Sequence, residues 1–210
     1  KFFPDDPASR WMLSLLLANE DIGLALKLVS TYLLSPRISV EPHAQYRTSH
    51  MLYFWRLWLA HIHEAWNAFN KTVDHDVVRR VKAAEDVELA RRKIGELRGR
   101  RIIGDLTAAD LLEKCRHVTF HYSEQDGDKW PEQLKTLGPD FHVCVTHGES
   151  KDVDTRWLIA DEYVLSRLNP FEFGNRGMHE AMRDIAMETI SLVRVCQKHY
   201  FNEREPGFLD

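Results

Sequence analysis

Two long segments in the first third of the chain carry apolar residues at steps of three and four, the repeat of an amphipathic helix. These stripes lie in Trp11–Leu33 and Met51–Phe69. Pro36 closes the first segment, and Trp55 and Trp58 make the second one bulky. Stripes of this kind are typical of helices that pack side by side in a bundle. The sequence therefore predicts a mainly α-helical fold.

Three further helices are expected later in the chain. The first covers Asp76–Leu97 as one segment, and an irregular link at 99–104 follows it. The second begins after the capping-box pattern Thr107–Asp110. The last one spans 175–200, where methionines and aliphatic residues recur along one side. Together with the first two segments, they predict an antiparallel helical bundle.

A short β-hairpin is expected as an insertion in this bundle. Apolar and polar residues alternate in Phe141–Thr146, which indicates a strand. Gly148–Asp152 has turn residues, and Thr155–Val164 can supply a returning strand. We therefore predict one domain over residues 1–210, with a hairpin at about 140–165.

The composition limits the classes of function. The formal net charge is -4, so binding to nucleic acid would need a local basic patch. The cysteines, three in number, match neither a zinc signature nor a disulfide framework, which favours a reducing, cytoplasmic setting. There is no run of about 18 apolar residues, so we expect no membrane association.

The segment CRHVTFHY concentrates polar side chains suited to phosphate chemistry. It contains Arg116, His117, His121 and Tyr122. Arginine binds phosphate with a planar fork of donors, and histidine transfers protons near neutral pH. The simpler interpretation is a helix end whose basic side chains face water.

A basic stretch precedes this segment. Between Arg79 and Arg101 nine basic residues stand against four acidic ones. A helix face exposed to solvent explains this excess of basic residues. The alternative is a positive patch that binds a phosphate backbone. The candidate phosphate-binding residues are Arg91, Arg92, Lys93, Arg98, Arg100 and Arg101.

The helical repeat restricts how Arg116 and His121 can cooperate. Five residues apart, they lie roughly 140° apart on an ideal helix. They meet on one ligand only if the helix end distorts or a second chain completes the site. His117 and His121 have the spacing of a zinc pair, and Glu64 or Asp21 could join them, but we rank a metal-free site higher and predict no cofactor.

The same letters, R-x4-H, occur once more in the second segment. Arg56 and His61 form this pair, but their surroundings are strongly apolar. We interpret this pair as structural. His63, two residues further on, must point to another side of the helix than His61.

The pattern Arg116–His121, late in a bundle helix, resembles the R-x4-6-H signature of the HEPN superfamily. The ending Phe120–Tyr122 is similar to one found in some HEPN-like proteins. The residue after the arginine is His117, where Asn or Asp is more usual. The resemblance covers about residues 8–122 and the last helix, and it implies a HEPN-like helical bundle.

What the resemblance implies is a metal-independent endoribonuclease that leaves 2′,3′-cyclic phosphate ends. Such proteins act as homodimers, often in toxin–antitoxin or antiphage systems, with RNA and an antitoxin-like protein as partners. By the resemblance, Arg116 and His121 are catalytic, and His117 and Tyr122 assist. The alternative is a non-catalytic HEPN-like binding or scaffold protein.

Overall fold

The computed structural model describes residues 2–3, 5–34, 41–120, 145–146, 155–156 and 176–205. For 31–34, 41–52, 117–120, 145–146, 155–156 and 176 it describes the backbone only. The elements, in chain order, are α1 (Pro7–Leu34), α2 (Glu41–Asn70), α3 (Asp76–Ala83), α4 (Glu85–Arg98), β1 (Arg101–Ile103), β2 (Leu106–Thr107), α5 (Ala108–Phe120), β3 (Val145–Thr146), β4 (Thr155–Arg156) and α6 (Arg176–Arg204). The prediction of a mainly α-helical fold with a small antiparallel hairpin is confirmed.

Contacts between the long helices show how they run. In α1 the Trp11 Nε1 donates to the carbonyl of Ala68 at 3.1 Å, and Asp21 lies near His61, so α1 and α2 are antiparallel. α6 packs against α1, α2 and α4. α6 is antiparallel to α4. Asp86 at the start of α4 contacts His199 near the end of α6, and Lys93 near the end of α4 lies 3.9 Å from Glu188, which comes earlier in α6.

The buried apolar side chains form two clusters, one towards each end of the bundle. One contains Trp55, Leu111 and Cys115, and the other contains Phe69 and Cys196. Both clusters take side chains from α1, α2 and α6. Within the described part of the chain, no helix is long and apolar enough to cross a membrane.

Local hydrogen bonds explain where two helices begin. Asp6 accepts from the backbone N–H of Ser9 at 3.0 Å, as expected of the residue before α1. The predicted capping box precedes α5: the Thr107 N–H donates to Asp110 at 2.6 Å, and the Asp110 N–H donates to the Thr107 hydroxyl at 3.3 Å. These bonds satisfy N–H groups that the first turn of a helix leaves unpaired.

The prediction of one continuous helix over Asp76–Leu97 is wrong. The chain bends at Ala84, whose ψ of 137° is extended, and α3 and α4 lie on either side. On a continuous helix Val81 and Val87 would lie about 120° apart. The bend turns both into the core, and the acidic residues at the start of α4 favour a new helix N-terminus there.

Two strand pairs lie within the residues that the structure describes. The pairing of Val145–Thr146 with Thr155–Arg156 lies in the region predicted as a hairpin. The pair β1–β2 was not predicted, because an irregular link was expected at 99–104, before α5. Gly104 makes the turn between these strands at φ 54°, a conformation that glycine adopts without strain.

Candidate functional site

The described part of the candidate site centres on Arg116 in α5. Its neighbour Cys115 is fully buried in the core, which places Arg116 at the edge of the packed face. The Nε of Arg116 donates to the Glu64 carboxylate on α2. The Arg116 side chain is 26% exposed, so part of it is open to solvent. The residues described show no partner for its two terminal NH2 groups.

The contact with Glu64 determines what Arg116 can bind. An arginine side chain has five N–H donors, of which Nε supplies one. With Nε engaged, the terminal NH2 groups remain for a phosphate or carboxylate ligand. Glu64 therefore orients the guanidinium of Arg116. The negative charge of Glu64 is neutralised by this contact.

Next to this pair lies a histidine that the sequence did not single out for the site. His63 on α2 is 8% exposed, and among the described residues its Nδ1 has no hydrogen-bond partner. Burial, followed by the positive charges of Arg98 and Arg116, lowers the pKa of His63 to about 4. Its imidazole is therefore neutral at physiological pH.

Arg98, at the end of α4, completes the surroundings of His63. Its guanidinium lies 5.3 Å from the ring centre of Trp66, and its buried Nη1 has no hydrogen bond to any residue in the described part of the chain. Burial lowers the pKa of Arg98, and the negative charge of Glu113 opposes that shift. We call His63, Glu64, Arg98, Glu113 and Arg116 the Arg116 cluster.

The other predicted catalytic residues fall beyond this description. His117 is in α5, but its side chain is outside the described residues, as are His121 and Tyr122 entirely. The convergence of Arg116 and His121 therefore stays a prediction.

The second R-x4-H pair lies elsewhere on α2. The Nδ1 of His61 is 3.5 Å from the Asp21 carboxylate of α1, and burial lowers the pKa of His61. The guanidinium of Arg56 lies over the ring of Tyr53 at 5.3 Å. His61 thus contacts α1 while His63 belongs to the Arg116 cluster, as their spacing predicts.

The two carboxylates considered for a metal site, Asp21 and Glu64, have different partners. Asp21 lies beside His61, whereas Glu64 binds Arg116. Across the ranges that the structure describes, no three His, Cys, Asp or Glu side chains come together as a metal site.

The six candidate phosphate-binding residues have different surroundings. Arg91 pairs with Glu88 at 2.6 Å, and Arg101 lies 3.6 Å from Asp105. Lys93 lies 3.9 Å from Glu188, and Arg98 stacks on Trp66. Arg92 and Arg100 are exposed, and the described residues give them no ion pair.

A groove of about 490 Å³ lies between the end of α4 and α6. Lys93 and Arg100 line it together with two glutamates, Glu96 and Glu188. The basic patch predicted from the sequence is therefore partly neutralised at this point by acidic side chains.

Comparison with protein-family models, with curated proteins and with solved structures finds no match for this chain.

Proposed function

We propose that this protein is a metal-independent endoribonuclease of the HEPN type. The observation that carries the proposal is the Arg116–Glu64 contact, which leaves the terminal NH2 groups of Arg116 for a phosphate. The mainly helical architecture and the R-x4-H pattern of the sequence agree with it.

In the proposed reaction, Arg116 binds the non-bridging oxygens of the scissile phosphate and stabilises the charge that develops on them. His121 removes the proton of the ribose 2′-hydroxyl, whose oxygen attacks the phosphorus. The bond from phosphorus to the 5′-oxygen breaks, and that oxygen takes up a proton. The products are a 2′,3′-cyclic phosphate and a 5′-hydroxyl. His117 and Tyr122 assist by binding the phosphate.

We further propose that the active form is a homodimer. On one ideal helix Arg116 and His121 lie roughly 140° apart, so they do not reach the same phosphate from one chain. A cleft between two chains allows Arg116 and His121 from different copies to meet on it. In that cleft, His121 of one copy acts as base and His121 of the other acts as acid. A role in toxin–antitoxin or antiphage defence, with an antitoxin-like partner, follows from the HEPN resemblance alone.

A non-catalytic HEPN-like binding or scaffold protein is the second candidate. The acidic partners of Arg91, Lys93 and Arg101 favour it, because they reduce the positive potential available to RNA. This candidate keeps the helical bundle and lacks cleavage.

The test compares two histidine variants that both belong to R-x4-H patterns. We expect His121→Ala to reduce RNA cleavage by at least about 100-fold, because general acid–base catalysis is lost. His61→Ala, the matched control, should keep most of the activity, since His61 pairs with Asp21 of α1, whereas Arg116 pairs with Glu64. Cleavage by His121→Ala at the wild-type rate would refute the catalytic assignment, and a wild-type protein without cleavage would favour the scaffold.

The chemistry of the products and the metal requirement are tested in the same assay. A metal-independent reaction should proceed in EDTA and leave cyclic phosphate ends. Activity that EDTA abolishes and zinc restores would support a metal site at His117 and His121 instead.

A further inference from the structure

The outer face of α1 carries large apolar side chains that the described fold leaves in solvent. Leu13, Leu17 and Leu24 are 43%, 54% and 59% exposed. Together with Arg10 and Glu20, both exposed, they lie within an arc of about 80° on the helix. Leucines exposed in a row on one face of a helix are typical of surfaces that bind another protein.

The two charged residues on this face have no ion pair among the residues that the structure describes. Arg10 and Glu20 are about 15 Å apart along α1, too far to pair with each other in one chain. They have opposite charge, and the exposed leucines Leu13 and Leu17 lie between them. The order along the helix is therefore positive, apolar, apolar, negative, which is complementary to itself when the direction of the helix is reversed.

We propose that this face of α1 binds the same face of a second copy of the chain, with the two helices antiparallel. In this arrangement Arg10 of each copy faces Glu20 of the other, and Leu13 of each copy faces Leu17 of the other. A two-fold axis near Leu15 relates the copies, which gives two ion pairs around four leucines. Such self-complementary contacts are the commonest kind in homodimers.

The contact is short. It covers about three turns of α1, so it belongs to the smaller interfaces, and we expect a dissociation constant in the micromolar range. Leu24 lies beyond it, because its facing position would be residue 6 of the second copy. This surface is distinct from the cleft proposed for Arg116 and His121, and it can exist whether or not the protein cleaves RNA.

Sedimentation velocity measures the association directly. Between about 1 and 300 μM protein, a range that brackets micromolar affinity, association through α1 should convert monomers to dimers, or cleft dimers to larger assemblies. Leu17→Asp should raise the dissociation constant by at least about tenfold. If other surfaces of the protein also associate, Leu17→Asp should still form smaller oligomers than the wild type, because it lacks the α1 contact. Wild-type association by Leu17→Asp would overturn the proposal.

A charge exchange tests the direction of the helices. Arg10→Glu places two acidic residues opposite each other and should weaken the dimer, and Glu20→Arg should do so with two basic residues. The double variant with both changes restores opposite charges and should recover the wild-type dissociation constant. Failure of the double variant to recover, while its circular dichroism stays wild type, would overturn the antiparallel register.

Introduced cysteines test the register, in a background with Cys144→Ser. A mixture of Leu13→Cys and Leu17→Cys proteins should form a disulfide-linked dimer, because facing positions come within bonding range. Leu24→Cys is the matched control, equally exposed but about 27 Å from its own copy across the axis. Cross-linking of Leu24→Cys, or of its mixture with Leu13→Cys, in preference to the predicted pair would show a different register and overturn the proposal.

Discussion

At the scale of single residues, the partner of Arg116 is the main result. Glu64 stands in α2 in a mostly apolar segment, and 52 positions separate it from Arg116. The sequence suggested Glu64 only as a ligand for a metal. A charged residue in a buried segment signals that a partner exists, but the identity of that partner depends on which helices pack together.

Glu64→Gln tests the orienting role of this residue. The amide keeps the size of the side chain but loses its charge, so Arg116 should be held less firmly. We expect the kcat of RNA cleavage to fall by up to about 100-fold, with a smaller change in KM. The control is Glu203→Gln, which removes a carboxylate that pairs with Arg80 of α3 outside the Arg116 cluster, and its kcat should stay within about threefold of the wild type. Equal losses in both variants would contradict a specific role of Glu64.

His63 should make the stability of the protein fall in mild acid. Its pKa is about 4 in the folded state and near 6.5 when unfolded, so the unfolded chain binds a proton first as pH falls. Between pH 6.5 and 4 this linkage costs roughly 3 kcal/mol of folding free energy. His63→Gln should lose less stability over that range in urea titrations at several pH values. An unchanged pH dependence would contradict the burial of a neutral His63.

At the scale of elements, the break between α3 and α4 shows how packing overrides a helical repeat. Val77, Val78 and Val81 point into the core from α3, whereas Val87 and Ile94 do so from α4. The apolar stripe changes phase between the two groups, and the acidic residues that follow Ala84 are typical of a helix start. Both signals are in the sequence, but they are weak beside the overall helical composition of the segment.

Ala84→Ser distinguishes the bent from the continuous helix. Ala84 precedes α4 and provides no side-chain hydrogen bond to its first turn. A serine there should accept one from the first turn and stabilise the protein by roughly 0.5 to 1 kcal/mol. In the interior of a continuous helix the same change would destabilise it by a few tenths of a kcal/mol. Ala83→Ser, one position earlier and inside α3, is the control and should not stabilise in thermal unfolding.

The strands β1 and β2 are a second case at this scale. Ile102 and Ile103 precede Gly104, and Leu106 follows the two-residue turn. A β-branched pair followed by Gly-Asp is a recognised hairpin signal. The prediction failed because each strand is too short for alternation to be visible, and the pair is stabilised by packing on the core of the bundle.

At the scale of the whole molecule, three long helices connect the two apolar clusters. α1, α2 and α6 each contribute to both ends, so neither cluster can open without disturbing a shared helix. We therefore expect the described bundle to unfold as one cooperative unit. Cys115 lies in one cluster and Cys196 in the other, which makes them natural reporters.

Thiol labelling measures this cooperativity. Burial raises the pKa of Cys115, and it raises that of Cys196 to about 12, so neither thiol reacts in the folded protein. In a Cys144→Ser background, both should be labelled at the same rate, with the same dependence on urea. Faster labelling of one cysteine, detected by mass spectrometry of peptides, would show that its end of the bundle opens separately.

By itself, the sequence determined the helical class, the core stripes of α1, α2 and α6, and the capping box of α5. These features depend on local spacing, because an apolar stripe or a cap involves residues a few positions apart. Only the tertiary structure decided that Glu64 binds Arg116, that Arg98 and His63 join them, and that acidic side chains neutralise much of the basic patch. Those contacts join residues from different helices, and their geometry follows from how the helices pack, which no local pattern encodes.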